Sequence, residues 1–148
     1  MPIAVGQSAP DFTLKDQNQN DVTLSSFRGK NVVLAFYPLD WSPVCTKEHA
    51  CFVDDLKTFE GVNAQVLGLS VDSVWSHKAY AEKLGISYPI LADFHPRGAV
   101  ASQFGLYLAD KGITNRATVL IDKGGIVRHV AVYEILSTRS NQDLVAEL

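Results

Sequence analysis

The chain has 148 residues, 47% hydrophobic and 20% charged, the make-up of an ordinary globular protein with room for a sizeable core, expected as one domain spanning 1–148. A formal net charge of −3, with no run of basic residues, argues against nucleic acid or an acidic membrane surface as a partner. The start, Met1-Pro2-Ile3-Ala4-Val5-Gly6-Gln7, lacks a basic n-region and an apolar h-region, and no stretch reaches bilayer-spanning length, so a cytoplasmic location is expected.

In chain order, Phe12 to Asp16 and Val22 to Leu24 read as short strands around the polar turn Gln17-Asn18-Gln19-Asn20. Asn31 to Tyr37 holds the apolar run Val32-Val33-Leu34-Ala35-Phe36 of a buried strand. A helix follows from Pro43 to Gly61, with Val44, Phe52, Leu56 and Phe59 at helical spacing. Ala64 to Val71 is a second buried strand. Ser73 caps a helix running through Leu84 and stopped by Gly85, with Trp75, Ala79 and Leu84 as expected inward residues. Pro89 to Ala92 is a short strand, and a helix is expected from near Pro96 to before Gly105. Arg116 to Asp122 and Ile126 to Tyr133 form a hairpin about Lys123-Gly124-Gly125, and a last helix runs from about Ser140 to Glu147. Strands alternating with helices, then a hairpin, predict a mixed α/β sheet with helices on both faces.

The chemistry concentrates between the first long strand and the helix after it. Ser42 is a good N-cap and Pro43 suits the first helical position, so Cys45 falls in the first turn. Backbone N–H groups there lack intrahelical partners, and the helix dipole adds partial positive charge. Both favour a thiolate, which is the nucleophilic form of cysteine. A small buried residue beside a cap is the plainer alternative. The two cysteines, Cys45 and Cys51, are too few for a disulfide framework or a four-cysteine zinc site, and they do not form a C-x-x-C pair.

Pro38-Leu39-Asp40-Trp41-Ser42-Pro43-Val44-Cys45 resembles the peroxiredoxin signature P-x-x-x-[T/S]-x-x-C, and Glu48 matches the acid that often follows it. Tyr88-Pro89-Ile90-Leu91-Ala92-Asp93 is similar to that family's aromatic-proline segment, and Arg116 to Asp122 to its arginine strand. The resemblance covers nearly the whole chain. The stretch from Asp93 to Gly105 looks most like the alkyl hydroperoxide reductase E subgroup, with some bacterioferritin-comigratory character elsewhere. The resemblance implies a thioredoxin fold with an N-terminal β-hairpin. It also implies thiol-dependent reduction of hydrogen peroxide or organic hydroperoxides, without a metal, flavin or other cofactor. It further implies reduction by a thioredoxin-like, glutaredoxin-like or low-molecular-weight thiol, and pairing into a homodimer through loops around the active site.

On that resemblance Cys45 is the peroxidatic nucleophile and Ser42 supplies a hydroxyl to the peroxide, the helix cap being its plainer role. Arg116 supplies a permanent charge and a rigid fork of donors, against the plainer reading of a solvated strand-end arginine. Pro38 shields the sulfur with a ring that offers no donor, or simply ends the strand. Val44 and Glu48 are supporting residues. A carboxylate at Glu48, three residues after Cys45, would oppose a thiolate, so it is expected to bind an arginine or a backbone donor; an exposed first-turn glutamate is the competitor. His49 is read as a bystander, and Trp41 either shapes the entrance or packs in the core.

Cys51 stays open. It shares a helical face with Lys47, Asp54, Asp55 and Thr58, which suits a resolving cysteine better than core filler. Yet six residues of intact helix separate it from Cys45 by about 240° and roughly 9 Å of rise. A disulfide wants Cα atoms about 5.5–6 Å apart, so the helix start would have to unwind. One-cysteine turnover by an external thiol is the alternative. Rival readings of the whole chain are a non-enzymatic redox sensor or chaperone-like module of the same fold, and a dithiol oxidoreductase, which the missing C-x-x-C disfavours. A zinc protein is poorly supported, because the four histidines show no ligand spacing.

Overall fold

A computed structural model describes residues 2–134, so the helix expected near the C-terminus lies outside the described residues. The sheet has the strand order β5-β4-β3-β8-β9, built from β3 (Asn31–Phe36), β4 (Ala64–Ser70), β5 (Ile90–Ala92), β8 (Ala117–Ile121) and β9 (Val127–Val132). β3, β4 and β5 run parallel, whereas β8 and β9 run antiparallel to their neighbours, giving the mixed sheet of a thioredoxin fold. Parallel neighbours require crossovers, and α1 (Pro43–Gly61) and α2 (Val74–Leu84) supply them.

Strand periodicity sorts the core into two layers. Val33 and Ala35 of β3 point to the side covered by α1 and α2, where Phe52, Phe59, Tyr80 and Ala81 meet them. Val32, Leu34 and Phe36 point to the other side, against Val100 and Ala101 of α3 (Ala99–Gln103) and Phe12, Val22 and Leu24 near the N-terminus. A strand apolar on every residue is therefore buried on both faces, as β3 is.

The N-terminal hairpin pairs β1 (Thr13–Lys15) with β2 (Asp21–Thr23). Its turn is tied by Asp16 Oδ1, which accepts from the N–H groups of Asn18 and Asn20. Gln17, expected in a solvated turn, is instead buried: its amide donates to Tyr88 O and accepts from Ile90 N, satisfying the outer edge of β5 as a neighbouring strand would.

Other expectations shift at the boundaries. α2 has its Ser73 cap and a left-handed Gly85 at its end, and Leu84 packs against the core as expected, but its buried residues are His77, Tyr80 and Ala81. Trp75 is 65% exposed and Ala79 is exposed as well. Hydrophobicity alone misplaces that face, because a histidine and a tyrosine with buried hydrogen-bond partners take the inward positions. α3 starts after Gly98 rather than near Pro96. Gly98 has φ 73°, and a Cβ there would lie 2.3 Å from the Tyr107 ring. The Asp93 carboxylate accepts from Val100 N and Ala101 N and so caps this short helix. A two-residue hairpin, β6 (Tyr107–Leu108) with β7 (Ile113–Thr114), is too short to leave a periodic signal.

Candidate active site

The antiparallel pairing of β3 with β8 sets the geometry. Phe36 at the end of β3 stands opposite Ala117 at the start of β8, so Arg116 lies beside the exit of the central strand. Its backbone is fixed on both sides: Arg116 N donates to Asn115 Oδ1 and Arg116 O accepts from Tyr133 N. From there the guanidinium reaches α1. Nη2 donates to Cys45 Sγ at 3.3 Å, and Nη1 donates to Glu48 Oε1. Cys45, Glu48 and Arg116 are all buried, Arg116 being only 1% exposed. Three residues of helix put Cys45 and Glu48 on one face, so a single fork spans both.

The chain reaches α1 through Tyr37–Ser42. Pro38 is buried, and Trp41 takes a left-handed φ of 71°. Pro43 occupies the first turn, with the half-buried Val44 between it and Cys45. Ser42 stands at the N-cap with extended backbone, and its carbonyl accepts from Thr46 N at 2.9 Å. Its side chain makes no capping bond, contrary to the expectation that the hydroxyl caps the helix. Ser42 Oγ is instead buried without a protein partner, a costly condition for a hydroxyl.

Around this centre the walls are aromatic. His49 is buried on the inner face of α1, its Nδ1 2.5 Å from Tyr88 OH and its ring edge-on to Tyr37. It is a packed residue of the layer beneath the site. Tyr80 OH donates to Thr46 Oγ1 at 3.1 Å; burial pushes its phenol well above the ordinary range, and the neighbouring Cys45 adds to that push. Trp41 lies edge-on against Tyr80 with ring centroids 5.0 Å apart, and it is 51% exposed, so it is not core filler. Cys51 is exposed, on a different face of an unbroken α1.

One cluster escaped the sequence reading. Asp40, Asp72 and His77 gather within 4.8 Å of one another, bringing together a histidine and two carboxylates far apart in sequence. Asp40 accepts from Tyr37 OH at 2.6 Å and from Ser76 Oγ at 2.9 Å, and faces His77 Nδ1 at 2.8 Å. Asp72 accepts from Ser70 Oγ and from Asp40 N. The polar atoms are already engaged with one another. In the sequence Asp40 stands only at a variable position of the signature, and nothing there linked it to His77.

Residues 5–130 match the model of the AhpC/TSA family. The chain is 44% identical over 127 residues to alkyl hydroperoxide reductase E of Mycobacterium tuberculosis, covering 85% of this chain and 83% of that one. It is 36% identical to a peroxiredoxin of Thermoplasma volcanium, over 98% of this chain and 73% of the relative. Among solved structures, the reduced 2-Cys peroxiredoxin of Plasmodium vivax superposes with a TM-score of 0.88 at 32% identity, covering 97% of this chain and 79% of the other. Peroxidoxin BcpB of Mycobacterium tuberculosis gives 0.87 at 32% identity, with 98% and 96% covered. With a sulfur, a guanidinium and an orphaned hydroxyl gathered at the end of its central strand, the chain belongs to the AhpC/TSA family of peroxiredoxins and is a thiol-dependent peroxidase.

Proposed function

We propose that Cys45 is the peroxidatic cysteine and that Ser42, Arg116 and Pro38 complete its reaction centre. The Cys45 thiolate attacks one oxygen of a hydroperoxide, forming an S–O bond as the O–O bond breaks. Sulfur is oxidised by two electrons to sulfenic acid, and the departing alkoxide or hydroxide takes up a proton as alcohol or water. Negative charge travels from sulfur to the leaving oxygen, so donors fixed along that path stabilise the transition state more than the ground state. The observation that carries this reading is Arg116 Nη2 at 3.3 Å from Sγ, held by Glu48 through its other nitrogen. Ser42 Oγ, with no protein partner, is free to accept from and donate to the peroxide.

The substrates are hydrogen peroxide and organic hydroperoxides, and Trp41 offers an apolar surface at the entrance. Two external thiols then return the sulfenic acid to thiol, yielding water and an external disulfide; the intact helix between Cys45 and Cys51 supports this route over internal resolution. The reductant belongs to the thioredoxin-like, glutaredoxin-like or small-thiol class. The chain works as a single cytoplasmic domain and pairs with a second copy. Exposed Trp75 and Phe94, which line a groove of about 640 Å³, offer apolar surface for such pairing. The sensor or chaperone-like alternative does not account for the convergence on Cys45. Stopped-flow peroxide consumption tests the proposal: Cys45→Ser should abolish turnover, and retained turnover would end it.

A further inference from the structure

We infer that Asp40 is a positioning residue for the Cys45 reaction: it fixes the loop that presents Pro38 and Ser42 to the peroxide, and does not act on the sulfur itself. The inference rests on the peroxidase reading above. Two independent observations carry it. The first is the buried anchorage of Asp40. Its carboxylate is fully buried with the His77 ring and receives hydroxyl donors from Tyr37, before it in the loop, and from Ser76 on α2. His77 Nδ1 lies 2.8 Å from the same carboxylate, and His77 Nε2 faces Leu91 O, which can only accept. The backbone N–H of Asp40 is claimed as well, donating to Asp72 Oδ2 at 2.8 Å. One residue thereby ties the loop to α2, to Asp72 just beyond β4 and, through His77, to β5.

The second observation is the strain beside it. Trp41, a bulky residue, is left-handed with φ 71°, a conformation that persists only where the surroundings over-determine it. On its far side the chain is fixed by the first turn of α1, where Ser42 O accepts from Thr46 N. On its near side the fixed point is Asp40. Release Asp40 and Trp41 relaxes, turning the peptide that leads into Ser42. Arg116, just before β8, and Glu48, on α1, do not depend on this loop, so the environment of the sulfur should survive.

That separation makes the test. In a Cys51→Ser background, where Cys45 is the one remaining thiol, reaction with iodoacetamide reports the Cys45 thiolate, whereas reaction with peroxide also needs Ser42 in place. Asp40→Ala should lower the second-order rate with hydrogen peroxide at least tenfold, while the rate and pH profile of alkylation stay within twofold of wild type. Asp40→Asn should bring the peroxide rate back to within threefold of wild type, since an amide oxygen can accept from Tyr37 while its NH2 faces His77 and Ser76. Should Asp40→Ala fold poorly, Tyr37→Phe and Ser76→Ala each remove one anchoring donor and should lower the peroxide rate alone. Unchanged peroxide rates, parallel loss of both reactions, or no recovery in Asp40→Asn would overturn the inference. A wild-type protein that alkylates but does not react with peroxide would instead overturn the peroxidase reading.

Discussion

Glu48 and Cys45, three residues apart on α1, share the Arg116 guanidinium, one nitrogen to each. Lysine keeps the charge but has a single compact head that cannot span both groups. Arg116→Lys is therefore expected to slow peroxide reduction about a hundredfold, the scale of losing one transition-state donor. Arg116→Met removes the charge as well and breaks the buried ion pair that Arg116 makes with Glu48. It should cost about 3–5 kcal/mol in urea denaturation. Stability within about 1 kcal/mol of wild type would show that Glu48 finds another donor.

Ser42 makes a cleaner test of chemistry because its hydroxyl holds nothing in the protein. Ser42→Ala removes an orphaned buried group, so stability should hold or rise slightly. The peroxide rate should fall about tenfold to a hundredfold, as expected for one lost donor. Ser42→Thr retains the hydroxyl and stiffens χ1, and its rate should stay near wild type. A destabilised Ser42→Ala would mean that the hydroxyl serves the helix after all.

Much of the site could be read from the sequence because its parts carry local signals. Pro43 and Ser42 announce a helix start, and the apolar run before them announces a central strand, so Cys45 could be placed without coordinates. Arg116 could be named from its strand motif, but its distance from Cys45 depends on the β3–β8 register, which no local pattern encodes. The Asp40–His77 anchorage was invisible for the same reason, since its members lie 37 residues apart and meet only through α2. The inward face of α2 was misjudged because hydrophobic periodicity favours Trp75 over His77, whereas burial followed hydrogen bonding. Gln17 reads as a turn residue by composition, yet it serves as a strand edge.

Gly68 tests how tightly the layer under the site is packed. It lies within β4, where a Cβ would come 2.8 Å from Ile90 Cγ2 and 3.4 Å from the His49 ring. Neither neighbour can withdraw easily, as both are buried. Gly68→Ala should therefore destabilise the fold by about 1–3 kcal/mol in urea denaturation. A neutral substitution would mean that β4 and β5 can move apart without loss.

Asp72 should leave a signature in the pH dependence of stability. Burial pushes its carboxyl above the ordinary value of 3.8, and the charge of Asp40 pushes the same way. The folded protein then binds that proton more tightly than the unfolded chain. Its stabilising contribution is complete below 3.8 and is lost as pH rises through the raised value. Asp72→Asn can accept from both Ser70 and Asp40 N and has no proton to lose. Compared across about pH 3 to 7, the stability of the variant relative to wild type should climb through that window and then level. Parallel curves would place the shift elsewhere.

Cys51 is where helix geometry decides between two chemistries. It is exposed, Cys45 is buried, and α1 runs unbroken between them. Six residues of helix give roughly 9 Å of rise, beyond the Cα separation of about 5.5–6 Å that a disulfide prefers. Unwinding the first turns to close that gap would pull Glu48 from Arg116 and His49 from Tyr88, both buried contacts. Cys51→Ser should consequently turn over with a small thiol at the wild-type rate. Mass spectrometry after a peroxide pulse should find Cys45 sulfenic acid, trapped with dimedone, in equal yield with and without Cys51. A Cys45–Cys51 disulfide forming faster than the external thiol reacts would reverse that conclusion, and would require the start of α1 to melt on every cycle.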